Sequence, residues 1–220
     1  MDNFEQYQNI MADWAAETLG AHKDSIVAGE TVEFENQDFF YMVFRGFTEI
    51  TDTFEALEFS ATLLSVASPR SKKVAKEKYI RFVVNTYLQD VYILKERLNA
   101  YATKIKRAHE RMGRSELVEA HIEPLFESVK TRLQGLVNVR GGHVHQERFR
   151  DELLSEASSL ELLVQFDDKF EFYYERTVTQ VKRDWHERIV LNNEATKAIL
   201  NDYFGGMLRV VAENDRVITP

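Results

Sequence analysis

The sequence predicts an all-α fold, an up-down bundle of long helices, and three observations carry the prediction. Two long stretches hold apolar residues alternately three and four positions apart without a miss, the period of a helix with one buried stripe. Only 3 prolines and 9 glycines interrupt 220 residues, which favours long helices over many short strands. The balance of 44% apolar to 29% charged residues is that of a chain able to bury a core and not of a disordered one.

Residues 2–19 form a first amphipathic pattern through Phe4, Tyr7, Ile10, Met11, Trp14 and Leu19, stopped at Gly20. Residues 20–36 read as a connector, with a turn at Gly29 and the short pieces Ser25-Ile-Val27 and Thr31-Val-Glu-Phe34 placed for a minor extended contact. The first long seam is Phe40, Val43, Phe47, Ile50, Phe54, Leu57, Ala61 and Leu64, ending near Ser68-Pro69 because proline disfavours a helical residue before it. The second runs through Ile80, Val84, Tyr87, Val91, Leu94, Leu98, Tyr101, Ile105, Ala108 and Met112, until Gly113 ends it. Two such seams joined by a short turn make an antiparallel helical hairpin. Ser115 is placed to cap a third bundle helix with Val118, Ile122, Leu125, Val129, Leu133 and Leu136 inward, kinked or started late by Pro124. A break comes next, at Val139–Val144. From Glu147 a fourth helix carries Phe149, Leu153, Ala157, Leu160 and Val164 and is expected to continue through Phe166, Phe170 and Tyr173, with Val178, Val181, Trp185 and Ile189 extending it after a bend. A last helix is expected over 193–213, weakened at Gly205-Gly206, with a frayed tail at 213–220.

Composition narrows the function classes. There is no cysteine, hence no disulfide framework and no thiolate chemistry, as in a reducing cytosol. The opening MDNFEQYQNIMADW has neither the basic nor the apolar region of a signal peptide, and no uncharged run approaches the length of a membrane span, so a cytoplasmic protein without a membrane partner is expected. Net charge is −8, but it is unevenly spread: residues 1–69 hold 2 basic and 13 acidic side chains, residues 70–150 hold 18 and 9, and residues 151–220 hold 8 and 14. The positive middle reads either as solvated helix faces that balance the acidic segments or as a local basic cleft for a polyanion.

Phosphate-loop, dinucleotide-fold, hydrolase-elbow, zincin and paired-cysteine motifs are all missing, and Glu-x-x-His pairs are not repeated as in di-iron bundles. What stands out is Arg140-Gly-Gly-His-Val-His145, between two helical patterns. Arginine offers a permanently charged donor fork for phosphate oxygens, and histidine can take or give a proton near neutral pH. Five residues apart, with glycines between and a helix N-terminus beyond, they are placed to bring a charge stabiliser and a base to one phosphodiester. Two bland readings compete: a capping or interhelical hydrogen bond for His145 and a surface ion pair for Arg140. A zinc site of His143, His145 and Glu147 is a further, weaker reading.

The stretch VRGGHVHQERFRDELL before a leucine-rich helix, and the preceding YLQDVYILKERLNAY, resemble HEPN (higher eukaryotes and prokaryotes nucleotide-binding) domains, helical bundles marked by Arg, four to six residues, then His. The resemblance spans Glu35 to Phe166. It implies a HEPN-like bundle over 35–190, flanked by an N-terminal helix and connector over 1–34 and a C-terminal helix over 191–220. For catalytic members it implies metal-independent RNA cleavage, in a defence or stress system, with no cofactor and no metal ligands: His145 would activate a ribose 2′-hydroxyl and Arg140 would stabilise the phosphorus transition state. Gly141, Gly142, His143 and Arg148 would then line the substrate, and two copies would pair around a shared cleft. Other members have lost catalysis and bind nucleotide, RNA or a protein partner. One position departs from the family pattern: Gly141 comes after the arginine, where a polar residue, often asparagine, is usual. His143 is the nearest polar substitute. The spacing also occurs by accident from Arg114 to His121, so position, not spacing, singles out Arg140–His145.

His22, His109, His121 and His186 read as solvated or structural. The aromatic pieces Phe39–Phe44 and Phe170–Glu175 read as core or interface packing more readily than as stacking surfaces for bases.

Overall fold

The computed structural model describes residues 1–69, 71, 73–133 and 151–220. The chain is an all-α bundle. Its elements are α1 (Asn3–Gly20), α2 (Lys23–Val27), α3 (Gln37–Ser65), α4 (Lys76–Arg111), α5 (Ser115–His121), a helical run over 123–133 (α6), α7 (Glu152–Val164), a 3-10 turn (Asp168–Phe170), α8 (Glu171–Val211), and the strands β1 (Ala212–Glu213) and β2 (Arg216–Val217). Among the described residues no helix is long and apolar enough to cross a membrane. The chain divides into two compact units, each discontinuous in sequence: Met1–Asp52 with Lys95–Arg132 and Thr196–Pro220, and Thr53–Leu94 with Leu133–Ala195.

In the first unit α1 begins with a reciprocal cap. The Asp2 carboxylate accepts from the Glu5 amide at 2.9 Å while the Glu5 side chain accepts from the Asp2 amide. The Asn3 amide donates to Asn201 Oδ1 on α8 at 2.7 Å, which satisfies another donor that the helix end leaves free. Behind this entry, Phe4 and Tyr7 lie on Phe204 with ring centroids 5.1 and 4.7 Å apart, and Phe47 of α3 meets both Tyr7 and Phe204. The buried phenols are partnered: Tyr7 and Tyr101 share a hydrogen bond of 2.5 Å, and Tyr203 donates to the Leu98 carbonyl at 2.7 Å. Burial pushes all three phenol pKa values above their ordinary value.

The end of α4 is a Schellman turn. Gly113, at φ +76°, donates to the Glu110 carbonyl and Arg114 donates to the His109 carbonyl, each at 3.0 Å. Pro124 sits in the first turn of α6, after a break at Ile122, where its missing N–H costs nothing. A helix does begin at Ser115, but Ser115 is its first residue and not its cap, since Arg114 holds the cap position without a side-chain hydrogen bond; the interruption expected from Pro124 takes the form of the break at Ile122 and not of a late start.

In the second unit the turn between α3 and α4 is fastened by Tyr79, which donates to the Leu63 carbonyl at 2.8 Å. The start of α4 is tied to α8: Tyr174 donates to the buried Glu77 carboxylate at 2.7 Å, and Lys76 pairs with Glu175 at 2.6 Å. Leu57, Leu64, Ile80, Val84, Val91, Val178, Val181 and Ile189 make the apolar interior. The two long seams read from sequence are buried as expected, from Phe40 to Leu64 and from Ile80 to Ile105.

Four further expectations are corrected. Ser25–Val27 is helical, inside α2, and the connector is held by Phe34, whose ring meets His22 and Phe40, not by strand pairing. The helix through Leu160 ends at Val164; Phe166 is 86% exposed, and a turn over 165–170 separates it from α8. The bend and second start expected before residue 193 are absent: α8 is one helix of 41 residues. The tail is not frayed. Asn214 and Asp215, both at positive φ, form the two-residue loop of a hairpin in which Ala212 pairs with Val217 and Glu213 with Arg216. Gln6 and Asn36 donate to Asp215 and to the Pro220 carbonyl.

Gly206 inside α8 allows a close approach: a Cβ there would lie 2.9 Å from the His121 carbonyl oxygen and 3.0 Å from a Leu125 methyl. Gly206→Ala therefore sets a helix-propensity gain of about 1 kcal/mol against overpacking of about 1–3 kcal/mol. We expect the clash to win, because its partner is backbone, and the urea midpoint to fall. Gly20→Ala, with open space around it, should not lower it.

Candidate functional site

The six residues singled out by the sequence, Arg140, Gly141, Gly142, His143, His145 and Arg148, lie outside the described residues, as do Glu147 of the weaker zinc reading and the expected start of the fourth helix. The described chain resumes at Asp151, directly after this stretch. Asp151 is the N-cap of α7, its Oδ1 accepting from the Leu154 amide at 2.9 Å. Its other oxygen accepts from the Trp185 indole N–H of α8 at 3.0 Å, and the Arg188 guanidinium lies 5.2 Å from the Trp185 ring. From α4, Arg81 donates to the Leu154 carbonyl and the Ser158 hydroxyl, each at 3.1 Å. The first turn of α7 is thereby fixed to two other helices close behind the candidate stretch. Sequence reasoning passed over Asp151, Trp185 and Arg81 as a set. An aspartate directly before an apolar helix is a capping signal and could have placed this boundary.

The accidental match is accounted for. Arg114 does not serve a cleft: its guanidinium donates to the Val210 carbonyl at 2.7 Å and lies 3.2 Å from Nδ1 of the fully buried His109. Arginine only donates, so Nδ1 is the acceptor and the imidazole proton sits on Nε2, a buried atom with no partner among the described residues. Burial, and then the charge of Arg114, hold the His109 pKa down to about 4, so the ring is neutral. His109 is structural, as the sequence suggested.

Much of the basic middle is consumed internally. Lys76 pairs with Glu175, Lys106 with Glu123, and Arg132 with Asp202; Arg97 donates to the Glu49 carbonyl. These contacts favour the reading in which basic and acidic segments balance. A groove of about 780 Å³ in the second unit, lined by Pro69, Val74, Lys76, Tyr174 and Lys182, has both lysines engaged, Lys76 by Glu175 and Lys182 by the Val66 carbonyl. What is left over is ordered. Lys104, Arg107 and Arg111 are exposed at i, i+3 and i+7 on α4, a cationic stripe along one helix face. Among the described residues no group of three or more His, Asp or Glu side chains is placed to hold a metal ion.

The aromatic pieces divide. Phe39, Phe40 and Val43 are core, as expected, whereas in Phe170–Glu175 only Tyr174 is buried; Phe172 and Tyr173 are 69% and 56% exposed.

Comparison with family models, curated proteins and solved structures returned no match to this chain.

The buried His109 makes stability pH-dependent with a definite sign. Above pH 6.5 the ring is neutral in both states. As pH falls, the unfolded ring takes up a proton while the folded one resists until about pH 4. Stability should therefore be full above pH 6.5 and decline by about 3 kcal/mol in all across that window. His109→Gln, which keeps an acceptor for Arg114 without titrating, should flatten the decline in urea unfolding measured between pH 7 and 4.

Proposed function

We propose that this chain is a HEPN-like, metal-independent endoribonuclease, and the observation that carries the reading is the Arg140–His145 motif in the sequence ahead of Asp151, the cap of α7. Three features support it. The bundle is all-α, as the resemblance implies. The competing Arg114–His121 match has a packing role for its arginine, which binds His109 and the Val210 carbonyl. The helix that follows the motif in sequence is anchored through Asp151 to Trp185, a fixed element of the kind a functional site is built on.

In this reading His145 takes the proton of a ribose 2′-hydroxyl as its oxygen attacks the adjacent phosphorus. The new 2′-oxygen–phosphorus bond forms as the bond to the 5′-oxygen breaks, and the departing 5′-oxygen takes up a proton. Arg140 stabilises the charge gathered on the phosphoryl oxygens. The products are a 2′,3′-cyclic phosphate and a 5′-hydroxyl. Two copies would pair around a shared cleft, as the resemblance implies.

A second reading is favoured by the Lys104–Arg107–Arg111 stripe: a non-catalytic dimeric module that binds nucleotide, RNA or a protein partner, tracking phosphates without cutting them.

A digest of mixed structured RNAs in the presence of chelator separates the two. Wild type should cleave and leave 2′,3′-cyclic ends, while Arg140→Ala and His145→Ala should each lose at least about a hundredfold in rate with unchanged helicity. Cleavage that survives in both variants would sink the enzyme reading. Neutralising Lys104, Arg107 and Arg111 together should weaken single-stranded RNA binding and reduce the slope of log affinity against log salt by about 2. An unchanged slope would remove the stripe from either reading.

A further inference from the structure

We infer that the corner of the second unit where α7 meets α8 is a docking surface for a basic amphipathic helix of another protein. The inference is independent of the ribonuclease reading. Phe166, Phe172 and Tyr173 stand 86%, 69% and 56% exposed within eight residues of chain, a concentration of large apolar side chains that isolated surface residues do not produce. Tyr173 leads from them into a groove of about 560 Å³ between the two helices, whose apolar lining is Leu153, Leu160 and Phe170. The capped end of α7 and the 3-10 turn after it hold this corner in one shape: the Phe166 and Asp167 amides both donate to the Leu163 carbonyl, and Asp167 caps the turn through the Lys169 amide.

Charge selects the occupant. Glu152, Glu156, Asp168 and Glu171 are exposed around the patch, and none has an ion-pair or side-chain hydrogen-bond partner among the described residues. Lys169, which would offset them, is already held by Asp167 at 2.5 Å, and Arg176 is the cation left in the groove lining. An apolar groove with a negative rim repels a phosphate backbone. It also opposes a two-fold pairing with a second copy, which would face these carboxylates with themselves. It fits a helix that lays aliphatic or aromatic anchors at i, i+4 and i+7 into the groove and carries lysine or arginine on its flanks.

The test uses the full chain and a fluorescently labelled synthetic leucine/lysine amphipathic helix, with the same pattern built from leucine and glutamate as its counterpart. Anisotropy should show binding of the lysine peptide alone, weakened by salt. Phe166→Ser with Phe172→Ser should weaken it at least about tenfold, whereas Phe82→Ser, at a 68% exposed site on α4, should not. Glu156→Gln with Glu171→Gln should flatten the salt dependence. Because all these side chains are exposed, matching thermal melts will show that the variants are folded. Equal binding of the two peptides, no binding of either, or binding indifferent to Phe166 and Phe172 would overturn the proposal. So would sedimentation showing a wild-type dimer that the Phe166/Phe172 variant makes monomeric, since the occupant would then be a second copy.

Discussion

Four aromatic rings meet the buried ring of Phe204: Phe4 and Tyr7 from α1, Phe47 from α3, and its neighbour Tyr203, with centroids 4.7 to 5.6 Å away. Stacked and edge-on rings at such distances gain attraction beyond the area they bury, and here they join α1, α3 and α8 within the first unit. The arrangement sets its own demands. Two phenols are pulled fully out of water and satisfy each other, Tyr7 with Tyr101, because an unmade hydrogen bond there would cost about 1–3 kcal/mol. The α8 backbone must come close to its neighbours, so Gly205 and Gly206 come directly after Phe204, against Asn3 and the end of α5. What looks in sequence like a weak point of a helix is the place where it packs most closely.

The same contrast explains how much of the fold was legible. Periodicity located α1, α3 and α4 to within a few residues, because their seams are one-sided and each is buried as read. It failed where pattern and packing part company. Phe166, Phe170, Phe172 and Tyr173 continue an apolar rhythm in composition, yet the helix stops and most of these side chains face solvent. In the other direction, α8 runs unbroken past residue 193 because Asn193 and Thr196 are buried within it, Asn193 donating to the Leu57 carbonyl at 3.0 Å. A buried polar residue that makes a long-range hydrogen bond looks like a helix boundary when only hydrophobicity is read. The terminal hairpin was missed for a simpler reason: strands of two residues leave no alternation to detect, and Asn214-Asp215 was their only mark.

Of the candidate site the sequence offers residue types and a spacing, and the residues themselves lie outside the described ones. Arginine and histidine at short spacing suit phosphate chemistry, but a similar pair from Arg114 to His121 sits at a helix end, where one guanidinium nitrogen of Arg114 contacts both His109 and the Val210 carbonyl. Partners distant in sequence decide what that second match does. Arg114 reaches 96 residues forward to Val210, a relation no local pattern contains. Directly after the candidate stretch comes Asp151, whose two carboxylate oxygens are divided between its own helix and Trp185. Capping is local and readable; the indole bond, 34 residues away, is not.

Charge asymmetry resolves in the same terms. The acidic ends and basic middle are complementary because they meet: Lys76 finds Glu175, Arg132 finds Asp202, and Arg97 reaches the backbone at Glu49. Exposed pairs of this kind add about 0–1 kcal/mol each, so their effect is less on stability than on the field the surface presents. Two local charge patterns remain, a positive one along Lys104, Arg107 and Arg111 in the first unit and a negative one around the α7–α8 corner in the second. A net charge of −8 describes neither surface. A polyanion and a basic helix would be drawn to different parts of one chain, and salt would weaken both attractions while leaving the aromatic anchors of the second in place.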